Sequence, residues 1–192
     1  MDLIFATLLG YLLGSFASGY VVSRWMTGLD PRQHGSGHTG GLNVYRKGGL
    51  VAMVLTGAGD IGKGALAVWL AGQLWDAPWA VPLAGAAAVA GHCWPFWLGF
   101  RGGMGVGTSC GALALVHVWS IPVALALFAL LRRVIPHSPR AMLATMVLVP
   151  VVQTLWGVPW EGRALGVLVA GVMFVRYGGD WGRVYGEGGG AE

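Results

Sequence analysis

"GVGTSCGALALVHVWSIPVALALFALL", residues 105–131, is either one bilayer-crossing helix or two short ones, and the choice sets the number of crossings in the whole chain. As a single helix it would run about 40 Å at 1.5 Å per residue, well beyond a hydrocarbon core of roughly 30 Å. "WSIP", residues 119–122, offers an interruption, because a proline removes a backbone donor and favours a break. The flanking arginines arbitrate. A single crossing would put Arg101 on one side and Arg132, Arg133 and Arg140 on the other, against the tendency of basic residues to stay cytoplasmic. Two helices, 105–118 and 121–131, bring the chain back to the side it left.

Further apolar stretches at 3–23, 50–74, 79–98, 141–157 and 161–175, each bounded by charge, Pro or Gly, complete a set of seven. With the N-terminus outside and the C-terminus cytoplasmic, Arg24, Arg32, Arg46, Lys47, Arg101, Arg132, Arg133, Arg140, Arg176 and Arg183 all fall on the cytoplasmic side. That is ten of the twelve basic residues, leaving Arg163 outside and Lys63 within a helix. The expected fold is an all-α integral membrane protein with about seven short transmembrane helices. A single polytopic domain covers residues 1–192. The two helices of 105–131 are too short to span the core upright, so tilt, local thinning or partial re-entry is expected.

Composition agrees. Of 192 residues 55% are hydrophobic and only 10% charged, against about 25% in an ordinary soluble domain. Glycine supplies 34 residues, the composition of bilayer helices that pack backbone against backbone. The net charge of +4 reflects loop residues that set topology, and no nucleic-acid partner is expected. Cys93 and Cys110 have no metal or redox spacing. Asp2 stands where a signal peptide has basic residues, and no small-residue cleavage site follows the run to Val22, so a retained helix is expected.

Three segments do not read as plain membrane helix. "DPRQHGSGHTGGLNVYRKGG", residues 30–49, carries six glycines and several basic groups on the cytoplasmic side. Glycines around Ser36 and Gly37 permit a backbone curve that offers amides to an anion, and Arg46 supplies a fork for phosphate. A simple connector is the blander alternative. "GDIGKGA" places Asp60 and Lys63 one turn apart inside an apolar helix, either as an intramembrane ion pair, the simpler reading, or as a substrate contact. "GHCWPFWLGFRGGMGVGT", residues 91–108, sets His92 near a helix end, beside a second glycine-rich turn on the same cytoplasmic face.

These segments, with "GSFASGYVVSR" (Gly14 to Arg24), resemble the bacterial acyl-phosphate:glycerol-3-phosphate acyltransferases of the PlsY type, almost end to end and in order. The resemblance implies a seven-helix inner-membrane enzyme with cytoplasmic active-site loops. Such enzymes transfer a fatty acyl group from acyl phosphate to the 1-hydroxyl of glycerol 3-phosphate, giving lysophosphatidate and phosphate for phospholipid synthesis. The implied partners are those two substrates and membrane lipid, with no cofactor, no metal and a monomeric chain. An acyl phosphate is already an activated mixed anhydride, so alignment and charge neutralisation suffice and no residue is singled out as nucleophile or base.

Carried over residue by residue, the resemblance implies phosphate-binding positions at Ser36, Gly37, Asn43 and Arg46 in the first loop. In the second loop they are Arg101, Gly102, Gly103, Gly105 and Thr108. His92, Ser138, Asp60, Lys63 and Asp180 are further candidates. The chain departs from the family pattern at several of its signature positions. His38 and Leu42 stand for Asn and Thr, Met104 for the lysine of the second signature, and Tyr177 and Asp180 for the His and Asn of a third signature ending at Arg183. A thioether cannot donate to phosphate, so a lysine restored at 104 is expected to raise activity. Arg176 and Arg183 read as interfacial anchors. Two other functions stay open on sequence: a catalytically impaired or regulatory relative that keeps the anion loops, and a small organic-anion transporter using Asp60 and Lys63, for which the hydropathy offers no inverted repeat.

Overall fold

The computed structural model describes residues 1–179, whose regular structure is entirely helical. The helices are α1 (Asp2–Ser15), α2 (Ser18–Thr27), α3 (Gly41–Leu74), α4 (Ala80–Cys93), α5 (Val106–His117), α6 (Ser120–Val134), α7 (Ser138–Leu155) and α8 (Trp160–Gly178). The first two belong to one apolar stretch, Asp2–Thr27, broken where Phe16 and Ala17 leave the helical region. Asp2–Thr27, Gly41–Leu74 and Ser138–Leu155 are long and apolar enough to cross a membrane.

Residues 105–131 do form two helices. Val118 and Trp119 make the turn, and Pro122 falls in the first turn of α6, where its missing N–H costs no helical bond. Ser109 and Leu113 of α5 line one apolar cavity with Ile121 and Phe128 of α6, so the two helices converge on a common space. At about 18 and 22 Å for 12 and 15 residues, both fall short of the hydrocarbon thickness. Their turn is held by α7: Gln153 Nε2 donates to Ser120 Oγ at 2.8 Å, and the same hydroxyl pairs with His117 Nδ1 at 3.0 Å.

The expected loop of residues 30–49 is helical from Gly41 onward. Gly49 (φ 72°, ψ −170°) breaks α3 and separates a short arm, residues 41–48, from the apolar remainder. Glycine and polar residues in the arm hide its helicity from composition, while Asn43 anchors it through bonds to the preceding loop. The stretch expected to reach residue 98 stops as α-helix at Cys93, because Pro95 cannot continue it.

Helix α4 is the hub, packed against α1, α3, α5 and α8. Its small residues make this geometry feasible. A Cβ on Gly10 or Gly14 of α1 would meet the backbone of Ala84 or Ala88 of α4, so the two helices touch main chain to main chain. Val68, Val89, Cys93, Leu113, Leu143, Leu165, Val169, Met173 and Tyr177 form the buried core between α3, α4, α5, α7 and α8. Leu8 and Leu12 of α1, Val51 and Val54 of α3, and Val167 and Phe174 of α8 are exposed, as side chains facing hydrocarbon should be.

Gly14→Val should lower the melting temperature of detergent-solubilised protein sharply, since Ala88 backbone cannot yield; overpacking of this kind costs about 1 to 3 kcal/mol or more. Gly57→Ala, where the added methyl meets nothing within 4 Å, should leave the melting temperature unchanged or slightly raised.

Candidate active site

The first loop, residues 28–40, is built around one buried amide. Asn43 Nδ2 donates to the carbonyls of Pro31 (2.7 Å), His34 (3.1 Å) and His38 (2.8 Å), while its Oδ1 accepts from the Ser36 N–H at 3.0 Å. Both ends of the side chain are occupied, so Asn43 shapes the loop and has no donor left for a ligand. Gly35 (φ 56°) and Gly37 (φ 73°) take the left-handed turns this curve needs. A Cβ on Gly35 would lie 2.8 Å from Arg46 Nη1, which places the exposed Arg46 guanidinium against the loop next to Ser36.

Arg32 ties this loop to the segment leading into the second. It pairs with Asp30 at 2.7 Å, donates to the Leu98 carbonyl at 2.9 Å and lies 5.1 Å from the Tyr20 ring centroid. Tyr20 meets Trp97 edge-on, and Trp97 Nε1 donates to the Ser15 carbonyl at 2.6 Å, one of the groups freed where α1 ends. The Arg32 hydrogen bond holds the Asp30 carboxyl below its ordinary range, and the same bond raises Arg32. A lowered carboxyl contributes stability that is present above about pH 4 and is lost only as pH falls through the lower folded value, so the clamp is fully charged at neutral pH.

The second loop does not leave all its amides open. Gly102 N–H donates to the Cys93 carbonyl at 3.2 Å and Gly103 N–H to the His92 carbonyl at 3.1 Å, so these two cap the C-terminal end of α4. Gly102 and Gly103, expected at the phosphate, thus have their amides already bonded within the chain. The amides of Val106, Gly107 and Thr108, which open α5, make no hydrogen bond among the described residues, and a helix N-terminus attracts anions. Arg101 is exposed at the loop surface. Thr108 is fully buried where α5 packs on α3, its carbonyl against Gly64, and its hydroxyl has no hydrogen-bond partner among the described residues. Met104 packs against the apolar core cluster that contains Tyr177.

Beneath the second loop lies a buried polar cluster. Lys63 Nζ is 2.9 Å from Asp60 Oδ1, 2.8 Å from His92 Nδ1 and 2.7 Å from the Phe16 carbonyl, at the break between α1 and α2. His92 Nδ1 is also 3.3 Å from Asp60 Oδ1. All three side chains are buried, so the geometry is that of an intramembrane ion pair with histidine as a third member. With Nδ1 accepting from the ammonium, the His92 proton sits on Nε2, which faces Gly103. The cluster thus reaches the second loop from below at two places, through His92 under Gly103 and through Asp60 against Gly107 at the start of α5.

One residue was missed from sequence. Arg176, in the last turn of α8, donates from Nε to the Gly103 carbonyl at 2.9 Å and pairs from Nη2 with His38 Nδ1 at 2.8 Å, joining the two loops. Its only signal was its place in the segment resembling the third signature, where it read as an interfacial anchor. Ser138 is the exposed first residue of α7 and is tied to neither loop by a hydrogen bond among the described residues. Asp180 and Arg183 lie outside the described residues.

The family model for glycerol-3-phosphate acyltransferase matches residues 4–186. A glycerol-3-phosphate acyltransferase of Synechococcus sp. (strain CC9902) is 47% identical over 139 residues, covering 72% of this chain and 68% of its own. Another, from Aromatoleum aromaticum, is 37% identical over 177 residues, covering 92% and 90%. The crystal structure of PlsY (YgiH), an integral membrane glycerol 3-phosphate acyltransferase in its glycerol 3-phosphate form, superposes with a TM-score of 0.77 at 28% identity, over 95% of this chain and 92% of that one. With two glycine-rich loops docked at one end of a helical membrane fold, and a match from residue 4 to residue 186, this chain belongs to the glycerol-3-phosphate acyltransferase family.

Proposed function

We propose that this acyltransferase moves a fatty acyl group from acyl phosphate to the 1-hydroxyl of glycerol 3-phosphate, with the substrate phosphates held between the two loops. The observation that carries this reading is the docking of the loops on each other through Arg32, with Ser36 and Arg46 adjacent and the unpaired N-terminus of α5 in the second loop. The end that carries Arg24, Arg46, Lys47, Arg101 and the Arg132–Arg133 pair is read as cytoplasmic, where a water-soluble phosphate ester is at hand. Each chain contains both loops, so a monomer suffices.

The chemistry needs little from the protein. The glycerol hydroxyl oxygen attacks the acyl carbonyl carbon, the bond from that carbon to the phosphate oxygen breaks, and phosphate leaves with the electron pair. The leaving phosphate takes the hydroxyl proton, so no side chain has to act as base. What the site must supply is alignment and charge neutralisation, from Arg46, the Ser36 hydroxyl and the α5 N-terminus. An apolar cavity lined by Val106, Leu113, Phe128, Met146 and Val169 begins at the first turn of α5 and offers the acyl chain a seat away from water.

Purified protein in lipid nanodiscs should release phosphate when given palmitoyl phosphate together with glycerol 3-phosphate, and form lysophosphatidate in equal amount; release no faster than in a boiled control refutes the reading. Arg46→Ala should lower kcat/KM for glycerol 3-phosphate about 10- to 100-fold, the worth of one charge-assisted hydrogen bond. Asn43→Ala should weaken glycerol 3-phosphate binding by about tenfold or more without touching the ligand, because the Ser36 amide and three carbonyls lose the partner that curves the loop. Calorimetric titration of the variant against the parent checks this.

A further inference from the structure

Three of the departures from the family pattern lie at or beside the bonding partners of Arg176, while Leu42 is exposed on the arm of α3 and Asp180 lies outside the described residues. His38 bonds to Arg176, Met104 follows Gly103, whose carbonyl accepts from Arg176, and Tyr177 follows Arg176 in sequence. One replaced position thus contacts this guanidinium, and two are chain neighbours of Gly103 and of Arg176 itself. Two of the replacements, Met104 and Tyr177, join the same apolar cluster. The third, His38, presents a ring nitrogen that accepts from Arg176 and steers it toward the first loop, two residues from Ser36.

Building on the functional reading above, we infer that Arg176 is the substrate-phosphate ligand in this chain, supplying from α8 the positive charge that position 104 does not carry. A guanidinium has five N–H groups in a planar fork, and the bonds to Gly103 and His38 use two of them. The remainder have no partner among the described residues, and on a side chain that bridges the two loops a phosphate dianion can accept two of them at once. The half-buried setting strengthens each such bond relative to water. The two protein bonds also restrain the side chain, so little rotamer freedom is lost when the ligand arrives. The ligand is a phosphate group, borne either by glycerol 3-phosphate or by the acyl donor.

The test compares the parent, Arg176→Gln, Arg176→Lys, Met104→Lys and the double variant Arg176→Gln/Met104→Lys in nanodiscs. It measures KM for each substrate, inhibition by inorganic phosphate, glycerol 3-phosphate binding by calorimetry, and melting temperature. Arg176→Gln should weaken phosphate inhibition and raise the KM of one substrate about 10- to 100-fold, and which KM rises tells which phosphate is held. Arg176→Lys should fall between it and the parent. Adding Met104→Lys should recover about tenfold or more in the Arg176→Gln background, yet change the parent by less than about threefold, in place of the gain expected from the sequence because Arg176 already supplies the charge; such non-additivity is expected only when two charges serve one ligand. A lysine at 104 cannot remake the bonds to Gly103 and His38, so recovery separates ligand binding from loop tethering. Unchanged phosphate inhibition in Arg176→Gln, or an equal gain from Met104→Lys in both backgrounds, overturns the assignment. If Arg176→Gln does not fold, a gain of tenfold or more from Met104→Lys in the parent overturns it and a smaller change supports it. A parent that binds glycerol 3-phosphate without turnover refutes the functional reading alone, and the binding series still decides the role of Arg176.

Discussion

A lysine ammonium inside a bilayer helix must find partners or be lost, and the partners found by Lys63 organise the rest of this molecule. Left alone, such a group costs several kcal/mol of desolvation. Here it is met by the Asp60 carboxylate one turn away, by His92 of α4 and by the Phe16 carbonyl. The first span breaks there, and the Phe16 carbonyl accepts from the ammonium as well as from the Ser18 N–H at 3.1 Å, so the break gives Lys63 one of its partners. One side chain on α3 thereby fixes the broken first span, the hub helix and, through His92, the floor of the second loop.

Above that floor, the arrangement is a matter of which backbone groups remain unpaired. Glycine-rich loops invite the picture of a row of amides aimed at an anion. In this chain Asn43 holds the Ser36 amide, and the ends of α4 hold those of Gly102 and Gly103. The groups left for substrate are side chains at the loop surfaces and the first amides of α5. Preorganisation and recognition are thus divided between different atoms of the same two segments, and the glycines serve mainly the first: a Cβ on Gly103 would collide with His92, and one on Gly35 with Asn43.

Much of the fold was legible in the sequence, for reasons that also explain where legibility stopped. Hydropathy and the arginines around residues 105–131 decided for two helices, because the cost of placing Arg101 and Arg132 on opposite sides of a membrane does not depend on tertiary detail. The Asp60–Lys63 pair was equally readable, since spacing alone puts the two on one helix face. The arm at residues 41–48 was not, because its helicity rests on Asn43 reaching back to Pro31 and His38. Nor was the role of Arg176, whose two partners lie 73 and 138 residues away in the chain. Local pattern reports what a segment can do by itself; these features exist only once separate loops have met.

The methionine at position 104, where the resemblance implies a lysine, is intelligible in the same terms that govern Lys63. One ammonium already takes up a carboxylate, an imidazole and a main-chain carbonyl beneath the second loop. Asp60 is paired with Lys63, and a second ammonium over the core cluster of Val89, Cys93 and Met173 would need partners of its own. A thioether needs none and gains dispersion contacts by packing there, as Tyr177 does beside it. Methionine at 104 thus trades a charge at this place for apolar contact at the junction between α4, α5 and α8. Such a trade is sustainable only where the reaction leans on several cations and not on one, and an activated acyl donor whose leaving group carries its own proton acceptor is a reaction of that kind.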